Sequence, residues 1–379
     1  MRAVITTGAG GPEVLRLADV PDPLPGPGEV LIRVRATAVN RADLMQRAGN
    51  YPPPPGVSDI IGLECAGEIA ALGDGADSVE VGDRVMALLS GGGYAELVTV
   101  PVGQTMPVPD GMSWDDAAAI PEVFLTAYLT LRMLGRLQSG EVALIHSAAS
   151  GVGTAAIQIA GELGARALAT SRTPERLTLP ETLGAEGIVV TDGAFAEQVH
   201  RHTDGHGADV ILDLVGAAYW AQNVASLARG GRIILTGLVG GRRAEADLGA
   251  LLALQASVIG STLRGRTADE KATIVAEFAA WALPRFANGK LRPIVHTALN
   301  LTQVADAHVL VGSDQAVGKV VLRVEEPLTT GREPHIGVEP GPTGPHLGVM
   351  PYHHDRPSPS LGFRSGYDAV RTRATTERP

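Results

Sequence analysis

A chain of 379 residues is larger than one hydrophobic core usually serves, so two domains are expected. Apolar residues make up 45% and charged residues 19%, enough for sizeable cores, and no run of about 18 uncharged apolar residues marks a membrane span or an export signal. The formal net charge of -10 argues against a nucleic-acid binder, whose affinity rests on clustered Lys and Arg, though an acidic chain can still hold one basic pocket.

Residues 1 to about 120 read as short β-type runs, at 29–34, 66–72 and 94–100, separated by Gly- and Pro-rich turns such as PDPLPGPGE and YPPPPG. They predict a β-rich domain. Within it the stretch GLECAG at 62–67 sets Glu64 beside Cys65, the only cysteine. Catalytic zinc takes three protein ligands and keeps one position open. Glu64 and Cys65 alone do not supply that, so the expectation is a packed thiol, the alternative being a displaced ligand set completed by a distant His. A single cysteine forms no intramolecular disulfide, which fits a cytoplasmic setting.

From about 141 to 262 the texture becomes strand, helix, strand, helix, with nearly continuous apolar strands at 143–146, 209–213 and 232–236. Parallel strands covered on both faces read this way. The first of them opens VALIHSAASGVGTAAIQIAGELGA: a strand to His146, a loop of small residues, and an apolar helix from about Gly151. Small residues admit a pyrophosphate to the backbone, and a helix N-terminus offers it free N–H groups. Of the G-x-G-x-x-G pattern only Gly151 and Gly153 remain, and an ordinary tight turn is the competing explanation. About 20 residues on, where an NAD site would place Asp or Glu, the chain reads Ser171, Arg172 and then Arg176. A hydroxyl and two guanidinium groups favour the 2′-phosphate of NADPH, unless the arginines merely solvate a helix start. Pro180 predicts a kinked or broken second helix, and Asp213 a strand-end cap.

The section from 290 to 324 returns to β texture, so the α/β domain is expected as an insertion in the first. From 326 to 379 the chain carries nine of the 26 prolines and four of the ten histidines, at 335, 346, 353 and 354, with almost no apolar periodicity. Such a segment is expected to be disordered.

ATAVNRADLMQRAGNY at 36–51, GLECAG, VGDRVMALLSGGGYAELVTVP at 81–101, AAAIPEVFLTAY at 117–128, HSAASGVGTAAIQ at 146–158 and DLVGAAYW at 213–220 follow one another in family order. On these motifs the chain resembles the zinc-independent quinone oxidoreductases of the medium-chain dehydrogenase/reductase superfamily, and looks most like the tumour-suppressor-inducible branch. The resemblance implies an α/β protein: a GroES-like β-barrel catalytic domain (1–122, completed by 266–325) with an inserted Rossmann domain, a doubly wound parallel sheet that binds NADPH (123–265). It implies transfer of reducing equivalents from NADPH to a quinone without metal, with no dedicated acid or base. Zinc-dependent relatives carry Cys at the position of Asn40 and a His-Glu pair at Leu63-Glu64. By matching position, Gly151, Val152 and Gly153 face the pyrophosphate, with Ser150 donating beside them and Thr154 next in the helix. Thr126 and Tyr128 lie by the nicotinamide half, the alternative for Tyr128 being to pack a helix; Gly237 and Leu238 border that half, and Thr262, Leu263 and Arg264 close over it. Thr191 stands where relatives place a tyrosine on the adenine side. Asn40 and Tyr51 line the acceptor pocket, with capping and loop anchoring as their structural alternatives. Other readings are an enone or enal C=C reductase and a noncatalytic NADPH-binding sensor or scaffold. A homodimer is expected by analogy, with the strand near 257–263 as its seam.

Overall fold

The computed structural model describes residues 1–325; the tail at 326–379, with its four histidines, lies outside the described residues. The first part runs β1 (Arg2–Thr6), β2 (Leu15–Asp19), β3 (Glu29–Val39), α1 (Arg41–Arg47), β4 (Glu64–Leu72), β5 (Arg84–Leu88), β6 (Leu97–Pro101), β7 (Thr105–Pro107), α2 (Trp114–Ala118) and α3 (Pro121–Tyr128). The α/β part follows as β8 (Val142–Ile145), α4 (Gly151–Glu162), β9 (Arg166–Ser171), α5 (Thr178–Thr182), β10 (Glu186–Val189), α6 (Ala196–His202), β11 (Ala208–Asp213), α7 (Trp220–Ser226), β12 (Leu227–Leu235), α8 (Leu248–Leu254) and β13 (Ser257–Gly260). The chain then closes through α9 (Ala268–Ala287), β14 (Val295–Asn300), α10 (Val304–Gly312) and β15 (Lys319–Arg323).

The long β3 organises the first sheet. It pairs antiparallel with β4, β6 and β15, so the last strand of the described chain lies beside one of the first. Its alternating core face, with Val30, Ile32 and Val34, packs against Val85, Ala87 and Tyr94 inside the barrel. The second sheet is six-stranded and parallel, in the order β10-β9-β8-β11-β12-β13. Its central β8 and β11 are buried along their whole length, as continuous apolar strands with helices over both faces should be. The order reverses between β8 and β11, and ligands in such sheets bind beyond the carboxyl ends of the strands at that switch. Both elements of the expected architecture, the GroES-like barrel and the Rossmann sheet, are therefore present.

Pro180 does break the second helix of the parallel sheet. A single 3-10 turn at Pro174–Leu177 precedes a five-residue α5. Pro180 stands in the first turn of α5, where its missing N–H forfeits no intrahelical bond.

Candidate active site

The loop after β8 turns sharply at Ser147, a non-glycine residue with φ of 52°, and enters α4 at Ser150. Ser150 caps the helix: its Oγ accepts from Gly153 N at 3.1 Å. The Thr154 hydroxyl donates to Gly151 O at 3.1 Å. The first-turn amides of Gly151 and Val152 have no acceptor within the helix and remain to serve an anion. At Gly153 the close neighbour is the loop itself, because an added Cβ would lie 2.5 Å from Ser147 O and 2.6 Å from Ala148 O. At Gly151 it would lie 2.6 Å from Lys319 Cδ, which puts this loop against a buried lysine of β15.

That side chain is buried, with 3% of Lys319 exposed. Its ammonium donates to Val39 O at 3.0 Å, to Asn40 Oδ1 at 2.6 Å and to Glu64 Oε1 at 2.8 Å. An ammonium has three hydrogens, and all three are used. Glu64 is fully buried, and Oε1 also accepts from Asn40 Nδ2 at 2.8 Å, while Oε2 accepts from Glu122 N at 2.8 Å. Asn40 Nδ2 makes a longer contact to Ala38 O at 3.3 Å. Every polar atom of the Asn40 side chain thus has a partner inside the protein, and the side chain keeps no free donor. Its backbone N–H donates to Asp43 Oδ2 at 2.7 Å, closing the first turn of α1.

A second buried group continues from Asp43. Tyr94 donates its hydroxyl to Asp43 Oδ2 at 3.0 Å and meets His308 Nε2 at 3.1 Å, and Arg47 reaches His308 Nδ1 at 3.2 Å. Arg47 can only donate, so His308 carries its proton on Nε2 and gives it to Tyr94. Burial, with Arg47 adding to it, pushes His308 down to about 3. Burial raises Asp43 to about 7 and Glu122 to about 8, in the second case helped by the Glu64 charge. Glu122 Oε2 is buried and meets no hydrogen-bond donor among the described residues.

A resident zinc ion does not fit these residues. Cys65 is fully buried and its thiol is pushed up, first by burial and then by Glu64, so it resists becoming the thiolate that zinc needs. Glu64 already answers Lys319. Among the described residues no group of three or more His, Cys, Asp or Glu is placed to hold a metal.

The remaining expected residues divide. Arg264 is 4% exposed, and its guanidinium donates to Ser90 O at 2.7 Å, to Gln46 Oε1 at 2.7 Å and to Tyr51 O at 3.4 Å. It lies 5.2 Å from the Tyr51 ring centroid, so it braces the acceptor-side loops together with the neighbouring Lys271, which donates to Ser90 Oγ. Leu263 packs in the core. Thr126 is buried on α3; Tyr128 is too, its ring 5.5 Å from Phe278 and 5.4 Å from Trp281, so Tyr128 is held as a core residue. Gly237 follows β12, with its N–H on Asp213 O at 3.2 Å, and Leu238 beside it is 52% exposed. Asp213 caps the strand end through Val215 N at 2.7 Å and Gly216 N at 2.9 Å. Ser171 ends β9 with its Oγ accepting from Thr173 N at 3.3 Å. Arg172 and Arg176 both reach residues of the connection after α10. Thr191 is exposed in a turn.

Asp43 caps the first turn of α1 with Asn40, as its sequence alternative had it, whereas Lys319, Glu122, Tyr94, His308 and Asp314 escaped the sequence reading. Lys319 left a signal, since a lysine heading the apolar run Val320-Val321-Leu322 is buried only with a partner. A cavity of about 410 Å³ bordered by Ser90, Arg264 and Lys271 has neither Asn40 nor Gly151 in its wall.

Comparison with known proteins gives the class. A family profile described as alcohol dehydrogenase GroES-like domain matches residues 26–110, and one described as zinc-binding dehydrogenase matches 151–280. Over 318 residues, 83% of its length, the chain is 34% identical to a phenolphthiocerol/phthiocerol polyketide synthase subunit of Mycobacterium tuberculosis, of which it spans 14%. It is 32% identical to human quinone oxidoreductase, with 85% of this chain and 97% of that protein covered. Among solved structures, a mycobacterial protein complexed with NADPH superimposes with a TM-score of 0.77 at 32% identity, over 85% of this chain and 100% of the other. An NAD-dependent alcohol dehydrogenase does so at 0.76 and 33%, over 86% and 100%. The CurK enoyl reductase follows at 0.75 and 27%, over 86% and 99%. The chain belongs to the medium-chain dehydrogenase/reductase superfamily. Within that superfamily its relatives include proteins named quinone oxidoreductases.

Proposed function

We propose that the protein is an NADPH-dependent quinone oxidoreductase that works without a metal. The observation that carries this reading is the Lys319 ammonium locked between Glu64 and Asn40. There Lys319 and Glu64 compensate each other's charge, and the groups that could bind an ion are committed to that pair. An acceptor served there must take a hydride readily, as quinones do because their reduction yields an aromatic ring. NADPH, when bound, would supply that hydride.

The chain's part is to bind, orient and exclude water. The first-turn amides of α4 meet the pyrophosphate. Arg172 and Arg176 meet the 2′-phosphate, which favours NADPH over NADH. Thr126, Gly237 and Leu238 border the nicotinamide, and Tyr51, braced by Arg264, stands on the acceptor side. A homodimer is part of the proposal. The edge strand β13 carries Val258, 40% exposed, beside α8, whose Leu248 and Leu252 are 72% and 81% exposed.

The likeness to an enoyl reductase favours a second reading, reduction of an enone or enal C=C bond with the same dinucleotide placement. Following NADPH oxidation with small quinones, with enones and enals, and with no acceptor separates the two. Turnover of quinones and not of enones is expected. Turnover of enones alone would select the second reading, tight NADPH binding without turnover would leave a sensor or scaffold, and stoichiometric zinc in the active protein would overturn the metal-free proposal.

A further inference from the structure

The connection between α10 and β15 lies against both phosphate-binding features of the dinucleotide site. Asp314, with φ of 58°, turns its carboxylate to two guanidinium groups. Arg172 Nη2 donates to Oδ2 at 2.8 Å, and Arg41 donates to Oδ1. Arg176 donates to the Asp314 carbonyl and, at 3.0 Å, to Ala316 O. Three arginines, from α1, from just after β9 and from the turn that follows it, converge on Asp314, two at its carboxylate and one at its carbonyl. Four residues beyond Asp314 the same connection is fixed to the pyrophosphate loop, where Gly318 N donates to Ala149 O at 2.8 Å and Gly318 pairs with Ser150.

One carboxylate cannot neutralise three guanidinium groups, so the cluster keeps an excess positive charge suited to an anion. The pair is also easy to break, because Arg172 is 73% and Asp314 45% exposed, and such surface pairs are weak and screened by salt. A phosphate monoester brings more charge and three acceptor oxygens to the same donors.

We propose that Asp314 is a specificity-determining residue: its carboxylate competes with the 2′-phosphate of NADPH for Arg172, and so limits how strongly the protein prefers NADPH to NADH. The inference rests on the placement of the 2′-phosphate at Arg172 and Arg176 under the proposed function. An intact Asp314 holds the arginines as an internal anion and repels the incoming phosphate, two effects of the same sign. NADH, with a ribose hydroxyl at that position, feels neither.

The test is titration of the full-length protein with NADPH and with NADH, following binding by dinucleotide fluorescence. Asp314→Asn is the variant of choice because asparagine tolerates the left-handed backbone as aspartate does. It is expected to tighten NADPH about fivefold at low salt, the upper range for one exposed ion pair, with the gain shrinking as salt rises and the NADH affinity unchanged. Unchanged or weakened NADPH binding, or an equal change for both dinucleotides, would overturn the inference. The double substitution Arg172→Glu/Arg176→Glu tests the underlying placement separately. Selective loss of NADPH upholds that placement even where Asp314→Asn fails, whereas equal loss of both dinucleotides removes placement and inference together.

Discussion

Lys319 is the buried counter-ion of Glu64, and its replacement shows what a buried charge costs when its partner stays. Lys319→Met would leave Glu64 fully buried and opposed only by the Asn40 amide and one backbone N–H. Breaking such a pair destabilises by about 3–5 kcal/mol, whereas replacing both partners by neutral groups of similar volume is often far milder. Urea unfolding should therefore show a large loss in Lys319→Met and a partial recovery in Lys319→Met/Glu64→Gln. Glu122 provides a test in pH. Its carboxyl is raised to about 8, so between about pH 4.5 and 8 the folded state binds its proton more tightly than the unfolded chain does. Stability from this group is full below that window and is lost as pH rises through it. Wild type is expected to lose on the order of a few kcal/mol relative to Glu122→Gln as pH goes from 5 to 9. Parallel stability curves for the two proteins would show that Glu122 is already ionised when folded.

At the scale of elements, the strand-loop-helix from β8 to α4 was plain in the sequence, because a buried strand, a run of small residues and an apolar helix follow one another without a gap. What the sequence left open was why Gly153 must be glycine. The atoms that crowd its missing Cβ belong to Ser147 and Ala148, so the residue shapes the turn before any ligand arrives. Gly153→Ala should lower the thermal midpoint as well as the affinity for both dinucleotides, and loss of affinity with an unchanged midpoint would contradict this account. The broken second helix was legible from Pro180 for the same local reason. The pairing of Lys319 with Glu64 was not, since nothing local to β15 or β4 says that the two strands reach β3 from opposite sides. Arg264 shows the same limit. It was read as closing over the dinucleotide, yet its partners Ser90, Gln46 and Tyr51 are brought to it only by the packing of the two sheets.

At the scale of the whole molecule, Leu248 and Leu252 of α8 and Val258 of β13 are exposed, and β13 is an edge strand of the six-stranded sheet. Edges of that kind are covered in natural proteins, and a second copy aligned on β13 would bury both the leucines and the strand. Leu248→Asp/Leu252→Asp is expected to shift the protein from dimer to monomer in sedimentation, at little cost to the fold of each subunit. A wild type that sediments as a monomer at micromolar concentration would remove the seam.

Asn40 and Lys319 touch across 279 residues of sequence. A ribosome must make nearly all of the described chain before the carboxylate inside the barrel finds its counter-ion. Until then Glu64 has only water to answer it, and the barrel is completed by the segment that arrives after the parallel sheet has left the exit tunnel.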